Sequence, residues 1–313
     1  MQDYGAVGLA WLPISPDSLY YNDRTRVASI FCYNNIIIQS AFINVPSHIY
    51  SLMGIVNTTP DSFYDGGRYV AVDAAVEHGI QLHAEGAAVL DVGGASSRPG
   101  AKEVTPEVET ERVLPVVSRL AGRVSCPISV DTTSAAVARA ALDAGASWIN
   151  DISAGRFDPG MASVVAAGGC TVVLMHSRAT PDTMQQHADY GDDVVGVVTR
   201  ELLSEVEKFL AAGVAPRRIV LDPGIGFAKT AGQSIALLSG LKTFVDLGYP
   251  VLIGTSRKSF IGKITGKSAP DERLAGTLGS VASAYLRGAR IFRVHDVAAT
   301  KDFLSVLCAI EQA

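Results

Sequence analysis

The chain has 313 residues, 48% hydrophobic and 18% charged, which is enough apolar material for a large core and a length that fits one α/β barrel or two smaller domains. A net charge of −5 argues against the basic stripe of a nucleic-acid binder. No run approaches the ~18 apolar residues of a membrane span, the start of the chain lacks a basic secretory region, and Cys32, Cys126, Cys170 and Cys308 show no metal-ligand spacing, so the expectation is a cytoplasmic protein with reduced thiols and no membrane partner.

Residues 1–50 hold scattered tyrosines, an Asn34-Asn35 pair and little helical period, and read as an extension outside the main domain, 51–313. From residue 51 onward, apolar runs rich in Val, Ile and Leu recur at 51–57, 88–93, 127–131, 148–152, 171–176, 218–222, 250–255 and 290–295. None alternates with polar residues, as expected of strands buried on both faces of a parallel sheet. Helical patterns lie between them, at 72–85, 135–144, 194–212 and 274–287, and Gly86, Gly145, Gly213 and Gly288 stand where helices end. Eight strands alternating with helices leave a doubly wound sheet or a closed barrel; eight within about 260 residues favours the (β/α)8 TIM barrel.

Nearly every run stops at a polar residue: Asn57, then Asp91 leading into Ser96-Ser97-Arg98, Asp131, Asn150 with Asp151, His176, Asp222, Ser256-Arg257-Lys258, and Arg293 with His295. In a barrel these converge at the C-terminal mouth, where barrel active sites lie. A single Asx after a strand is more often the cap of the next helix, and Asp131, followed by Thr132-Thr133, is open to that reading. So many polar strand ends in one chain are harder to explain as caps. The acidic and amide group (Asn57, Asp131, Asn150, Asp222) and the basic group (Arg98, Lys258, Arg293, His295) suit a ligand with a hydrogen-bonding heterocycle at one end and an anion at the other. Residues 58–67 and 93–100 are long and glycine-rich for βα turns, like the segments from which catalytic lids are drawn. His176 reads as structural, His48, His78, His83 and His187 as surface residues, and Glu107, Glu109 and Glu111 as a solvated helix face.

The segments MGIVNTTPDSFYDGG (53–67), DVGGASSRPGA (91–101), ISVDTT (128–133), INDISAG (149–155), VLMH (173–176), LDPGIGFAKT (221–230), GTSRKSFIG (254–262) and RVHDV (293–297) resemble, in order, the motifs of the dihydropteroate synthase family. The resemblance implies a pterin-binding barrel and a transferase that joins a pterin methyl pyrophosphate to p-aminobenzoate, with sulfonamides as competitors. It further implies that Asn57 helps hold Mg²⁺, that Asp131, Asn150, Asp222 and Lys258 bind the pterin between Met175 and Phe227, and that Ser97, Arg98, Arg293 and His295 meet the pyrophosphate. Pro99, Ser259 and Phe227 would shape the p-aminobenzoate pocket, Asp61 and Arg98 would sit on the closing loops, and a homodimer is implied, with the apolar helix at 274–286 as core or dimer surface. The family usually reads GGESTRPG; here Ala95 removes a carboxylate, Ser97 removes a methyl, and Ala228 replaces a common glycine. Small residues at position 95 resemble sulfonamide-insensitive members. A pterin-binding methyltransferase barrel and a non-catalytic paralogue are the alternatives.

Overall fold

The computed structural model describes residues 50–58, 68–97 and 100–313. Asp61, Arg98, Pro99, His48 and residues 1–49 lie outside the described residues.

The strands are β1 (Ser51–Asn57), β2 (Val89–Gly93), β3 (Ile128–Asp131), β4 (Trp148–Asp151), β5 (Thr171–Met175), β6 (Ile219–Asp222), β7 (Leu252–Ile253) and β8 (Ile291–Val294). All ladder pairs are parallel, in the order β6-β5-β4-β3-β2-β1-β8-β7, and a parallel bridge from Leu221 to Val251 joins β6 to β7 and closes the ring. The strand seven expected over 250–255 is shorter, because Gly254 and the residues after it leave the ladder to form the turn that presents Lys258.

The outer helices are α1 (Arg68–Glu85), α2 (Pro106–Ala121), α3 (Ala135–Asp143), α4 (Met161–Gly168), α5 (Val194–Ala211), α6 (Ala231–Ser239), α7 (Lys242–Val245), α8 (Ser259–Thr265), α9 (Leu274–Leu286) and α10 (Val297–Glu311). Local chemistry sets several starts. Thr105 caps α2 ahead of Pro106, Ser134 caps α3 through the Val137 amide, and Thr230 with Gln233 forms a reciprocal capping box on α6. Gly86, Gly145, Gly213 and Gly288 all take positive φ after their helices.

Side chains alternate across each strand, and this period of two builds both the core and the site. Leu52, Leu90, Val92, Val130, Ile149, Val172, Leu174, Leu221, Ile253, Phe292 and Val294 face outward and pack with the helices. Met53, Val89, Trp148, Val173, Val220, Leu252 and Ile291 form a separate buried cluster with one residue from every strand except β3, the floor of the barrel interior. Two residues further along, the same inward face carries Ile55, Asp91, Asn150, Met175, Asp222, Gly254 and Arg293. The polar members of this layer, Asp91, Asn150, Asp222 and Arg293, lie directly above an apolar floor.

Candidate active site

On that layer Arg293, from β8, reaches two carboxylates. Its Nε donates to Asp91 Oδ2 at 2.6 Å, and Nη2 donates to Asp131 Oδ2 at 2.8 Å. Asn150 Nδ2 donates to the same Asp91 oxygen at 3.0 Å. Asp91 is fully buried, and its Oδ1 has no partner among the described residues. Burial raises the Asp131 pKa; Arg293 opposes this, while Asp91, Glu109 and Asp151 add to it. Asp131 does not cap α3: Ser134 does, and Thr132 Oγ1 receives the Ser134 amide at 3.1 Å, which leaves the Asp131 carboxylate to the cavity.

The second half of the layer is built by the β6 and β7 ends. Asp222, 4% exposed, uses Oδ1 to accept the Gly224 amide at 2.7 Å. Lys258 Nζ donates to the Ile225 carbonyl and sits 4.5 Å from the Phe227 ring centroid. Burial raises the Asp222 pKa against the pull of Lys258, and burial lowers Lys258 to about 8, with Asp222 and Asp131 opposing and Arg293 assisting. Met175, Phe227, Ala228 and Met184 form an apolar cluster beside this pair.

Lys258 is aimed by a strained residue. Arg257 has φ +59°, held by its amide to Thr277 Oγ1 at 3.0 Å and by two bonds from its guanidinium to Asp296 at 3.1 and 2.5 Å. Arg273 Nη1 donates to the Arg257 carbonyl at 2.9 Å. Such over-determined backbone clusters at functional sites. Ala228 has φ +49°, the left-handed region where a Cβ is unfavourable, which gives a physical reason for the glycine that commonly stands there.

Around the rim, Asn57 is half-buried at the end of β1, opposite Gly93 in register. His295 Nδ1 lies 2.9 Å from Ser256 Oγ. Ser97 is half-buried, and Ser259 is exposed as the first residue of α8. Asp151 turns away from the cavity and organises the following turn, accepting from Ser153 and Gly155.

One expectation is corrected. Glu107 and Glu111 are exposed, but Glu109 is only 6% exposed and lies under the β2 loop. Burial raises its pKa to about 7, against the Thr132 hydroxyl and Arg112. It shares a helical face with Val113, Val116, Val117 and Leu120, the buried side of α2. Sequence reasoning placed Asp91 among the polar strand positions at the barrel mouth but gave it no role, and did not single out Lys229.

This arrangement offers paired acceptors from Asp222 and Asp131, a donor from Lys258, and cationic or dipolar groups at the rim. Comparison with known proteins follows the same lines. Residues 53–295 match the family model described as pterin binding enzyme. The chain is 46% identical to a dihydropteroate synthase of Synechocystis over 259 residues, 83% of this chain and 89% of that relative. A Xanthomonas albilineans dihydropteroate synthase solved with 4-aminobenzoic acid superposes with a TM-score of 0.80 at 45% identity, covering 85% of this chain and 95% of that one. The same enzyme in complex with 7,8-dihydropteroate gives 0.77 at 43% identity, over 86% and 96%.

Proposed function

Because the chain belongs to the pterin-binding enzymes, and within them to the dihydropteroate synthases, we infer that it condenses 6-hydroxymethyl-7,8-dihydropterin pyrophosphate with p-aminobenzoate to give 7,8-dihydropteroate and pyrophosphate. The observation that carries the residue assignment is the inward face on which Asn150, Asp222 and Arg293 follow the apolar floor by two positions, with Asp131 at the end of β3 bonded to Arg293 and Lys258 held by the Ile225 carbonyl on the turn after β7. The guanidine-like edge of the pterin is met by Asp222 and its ring polar atoms by Lys258, Asn150 and Asp131, with Met175 and Phe227 against its faces. Arg98, Arg293, His295 and Ser97 receive the pyrophosphate. Pro99, Ser259 and Phe227 border p-aminobenzoate, and Asp61 and Arg98 belong to the closing loops.

The chemistry asks mainly for electrostatics. An aniline nitrogen is neutral and nucleophilic at pH 7, so no strong base is needed; the barrier lies in breaking the bond to pyrophosphate. Departure before attack leaves a cationic pterin methylene, which the Asp131 and Asp222 carboxylates stabilise while the basic rim stabilises the leaving anion. Asn57 suits Mg²⁺ held jointly with the pyrophosphate: that ion keeps several waters and takes only one or two protein oxygens, and a half-buried carboxamide beside the rim is such a donor. When bound, the ion would neutralise charge developing on the leaving group.

The test is release of pyrophosphate with and without p-aminobenzoate. Release that requires p-aminobenzoate and matches dihydropteroate formation supports the reading. Methyl transfer from a methyl-pterin, or no turnover, would assign the barrel to one of the alternatives.

Two further outcomes are expected. Since Lys258 loses its proton near pH 8 in the free enzyme, kcat/KM for the pterin falls above that pH, about tenfold per unit, and Lys258→Arg removes this limb from the accessible range. A flat profile to pH 9.5 contradicts the role given to Lys258. Second, Ala95 is exposed on the loop that borders the p-aminobenzoate side, and the missing carboxylate there supports reduced sulfonamide sensitivity. The inhibition constant of sulfamethoxazole is expected to exceed that of a relative with glutamate at this position, and Ala95→Glu to lower it; equal inhibition sinks the idea.

The protein is expected to work in the cytoplasm as a homodimer. The free thiols of Cys126, Cys170 and Cys308 accord with a reducing compartment. Among the described residues no helix is long and apolar enough to cross a membrane. The groove lined by Ile235, Leu238, Ile261 and Ile264, with Ile264 63% exposed, is the face a second copy would cover.

A further inference from the structure

The loop after β6, residues 223–230, supplies both halves of the pterin-facing pair: the Gly224 amide holds Asp222, and the Ile225 carbonyl and Phe227 ring hold Lys258. A loop with that duty must itself be fixed. Two features fix it against the end of β5. Gly224 has φ +69°, and a Cβ built there would lie 2.0 Å from the His176 carbonyl oxygen, so the loop backbone rests directly on His176. Lys229, 3% exposed, spends its Nζ on three acceptors: the Phe227 carbonyl at 2.8 Å, His176 Nδ1 at 3.0 Å and the His176 carbonyl at 3.3 Å.

The line continues outward. His176 is fully buried, and its Nε2 lies 2.8 Å from Glu201 Oε2 on α5. With Lys229 donating to Nδ1, His176 must carry its proton on Nε2 and donate to Glu201, which fixes the ring's tautomer and orientation. Glu201 in turn is gripped by Arg178, whose guanidinium stacks 4.0 Å over Tyr190. Tyr190 is buried, with the Lys229 ammonium 5.6 Å from its ring centroid.

We propose that Lys229 is a positioning residue for the condensation: it locks the 223–230 loop to His176 and so sets the geometry of Asp222, Lys258 and Phe227 without touching substrate. This rests on the function proposed above. A buried ammonium is costly to desolvate, and burial pushes its pKa well below the usual value. A core built only for stability would place an apolar side chain here. Three acceptors converging on one Nζ, two of them backbone carbonyls at the site, are what a tether requires.

The test compares wild type, Lys229→Met and Glu201→Ala in steady-state kinetics with both substrates, alongside Tm and the pH profile. Methionine keeps the length and loses the donors. For Lys229→Met, KM for p-aminobenzoate is expected to rise at least tenfold, because the Phe227 carbonyl is released. The alkaline limb assigned to Lys258 should also move upward, because Lys258 loses its fixed buried seat and burial is what lowers it. Glu201→Ala, at a side chain 30% exposed, should raise the same KM about threefold; if Lys229→Met fails to fold, this variant decides. A lowered Tm with unchanged KM values and an unchanged alkaline limb overturns the proposal. A wild-type enzyme that makes no dihydropteroate overturns instead the function on which it rests.

Discussion

Asp222→Asn is expected to lower kcat/KM for the pterin by roughly 10²–10³-fold while leaving Tm within a few degrees of wild type. Asp222 offers one oxygen to the Gly224 amide, and its other oxygen faces the cavity beside Lys258. Asparagine can keep the Gly224 bond, but then it presents a donor where the pterin also presents donors. A hydrogen bond to a charged group contributes about 1.5–3 kcal/mol, and a buried donor left facing a donor costs about 1–3 kcal/mol more. The balance is near 3–4 kcal/mol, or two to three powers of ten in rate at about 1.4 kcal/mol each. Stability should hardly fall, because removing a buried carboxylate whose pKa is already raised relieves desolvation. Steady-state kinetics with a melting curve checks both halves, and near-normal kcat/KM would remove Asp222 from the site.

Arg293→Met should have the largest effect on stability. One guanidinium serves two carboxylates, at 2.6 and 2.8 Å, and Asp91 is fully buried. Removing one partner of a buried ionic cluster costs about 3–5 kcal/mol, which for a barrel of this size is roughly 10 °C in Tm. The deficit should depend on pH in a definite sense. Without Arg293 the folded-state pKa of Asp131 rises further above its unfolded value. Stability linked to a raised group is present at low pH and lost as pH climbs through the folded pKa. The variant should therefore lie closer to wild type at pH 5.5 than at pH 8. Adding Asp91→Asn should recover part of the loss, since it removes a buried charge left without a counter-charge, with only Asn150 still donating to it. An Arg293→Met protein as stable as wild type at pH 8 contradicts the clamp.

The barrel could be read from the sequence because strands buried on both faces leave a simple trace, an apolar run ending at a polar residue. The outward members of each run, such as Leu90 and Val92, and the inward floor, such as Val89, are equally apolar, so the strand is plain although the facing of each residue is not. Facing mattered at Asp91, which reads as part of a strand until its position two residues beyond Val89 is counted. Glu109 was missed although a signal existed: it lies four residues before Val113 and seven before Val116, on the apolar stripe of α2. Lys229 gives no periodic signal. Its burial follows from the loop folding back onto His176, a contact between residues 53 positions apart. Arg257 was passed over beside Lys258 for a similar reason, since its positive φ is imposed by Asp296 and Thr277, distant in sequence.

The most direct test of the central claim is a structure of the protein with a dihydropterin bound. The ring is expected within hydrogen-bond reach of Asp222, Lys258 and Asn150, its face against Met175 or Phe227, and its substituent methylene pointing towards Arg293 and His295. A pterin seated elsewhere, or one that leaves Asp222 and Lys258 without contact to it, would mean that this polar layer is not the pterin site.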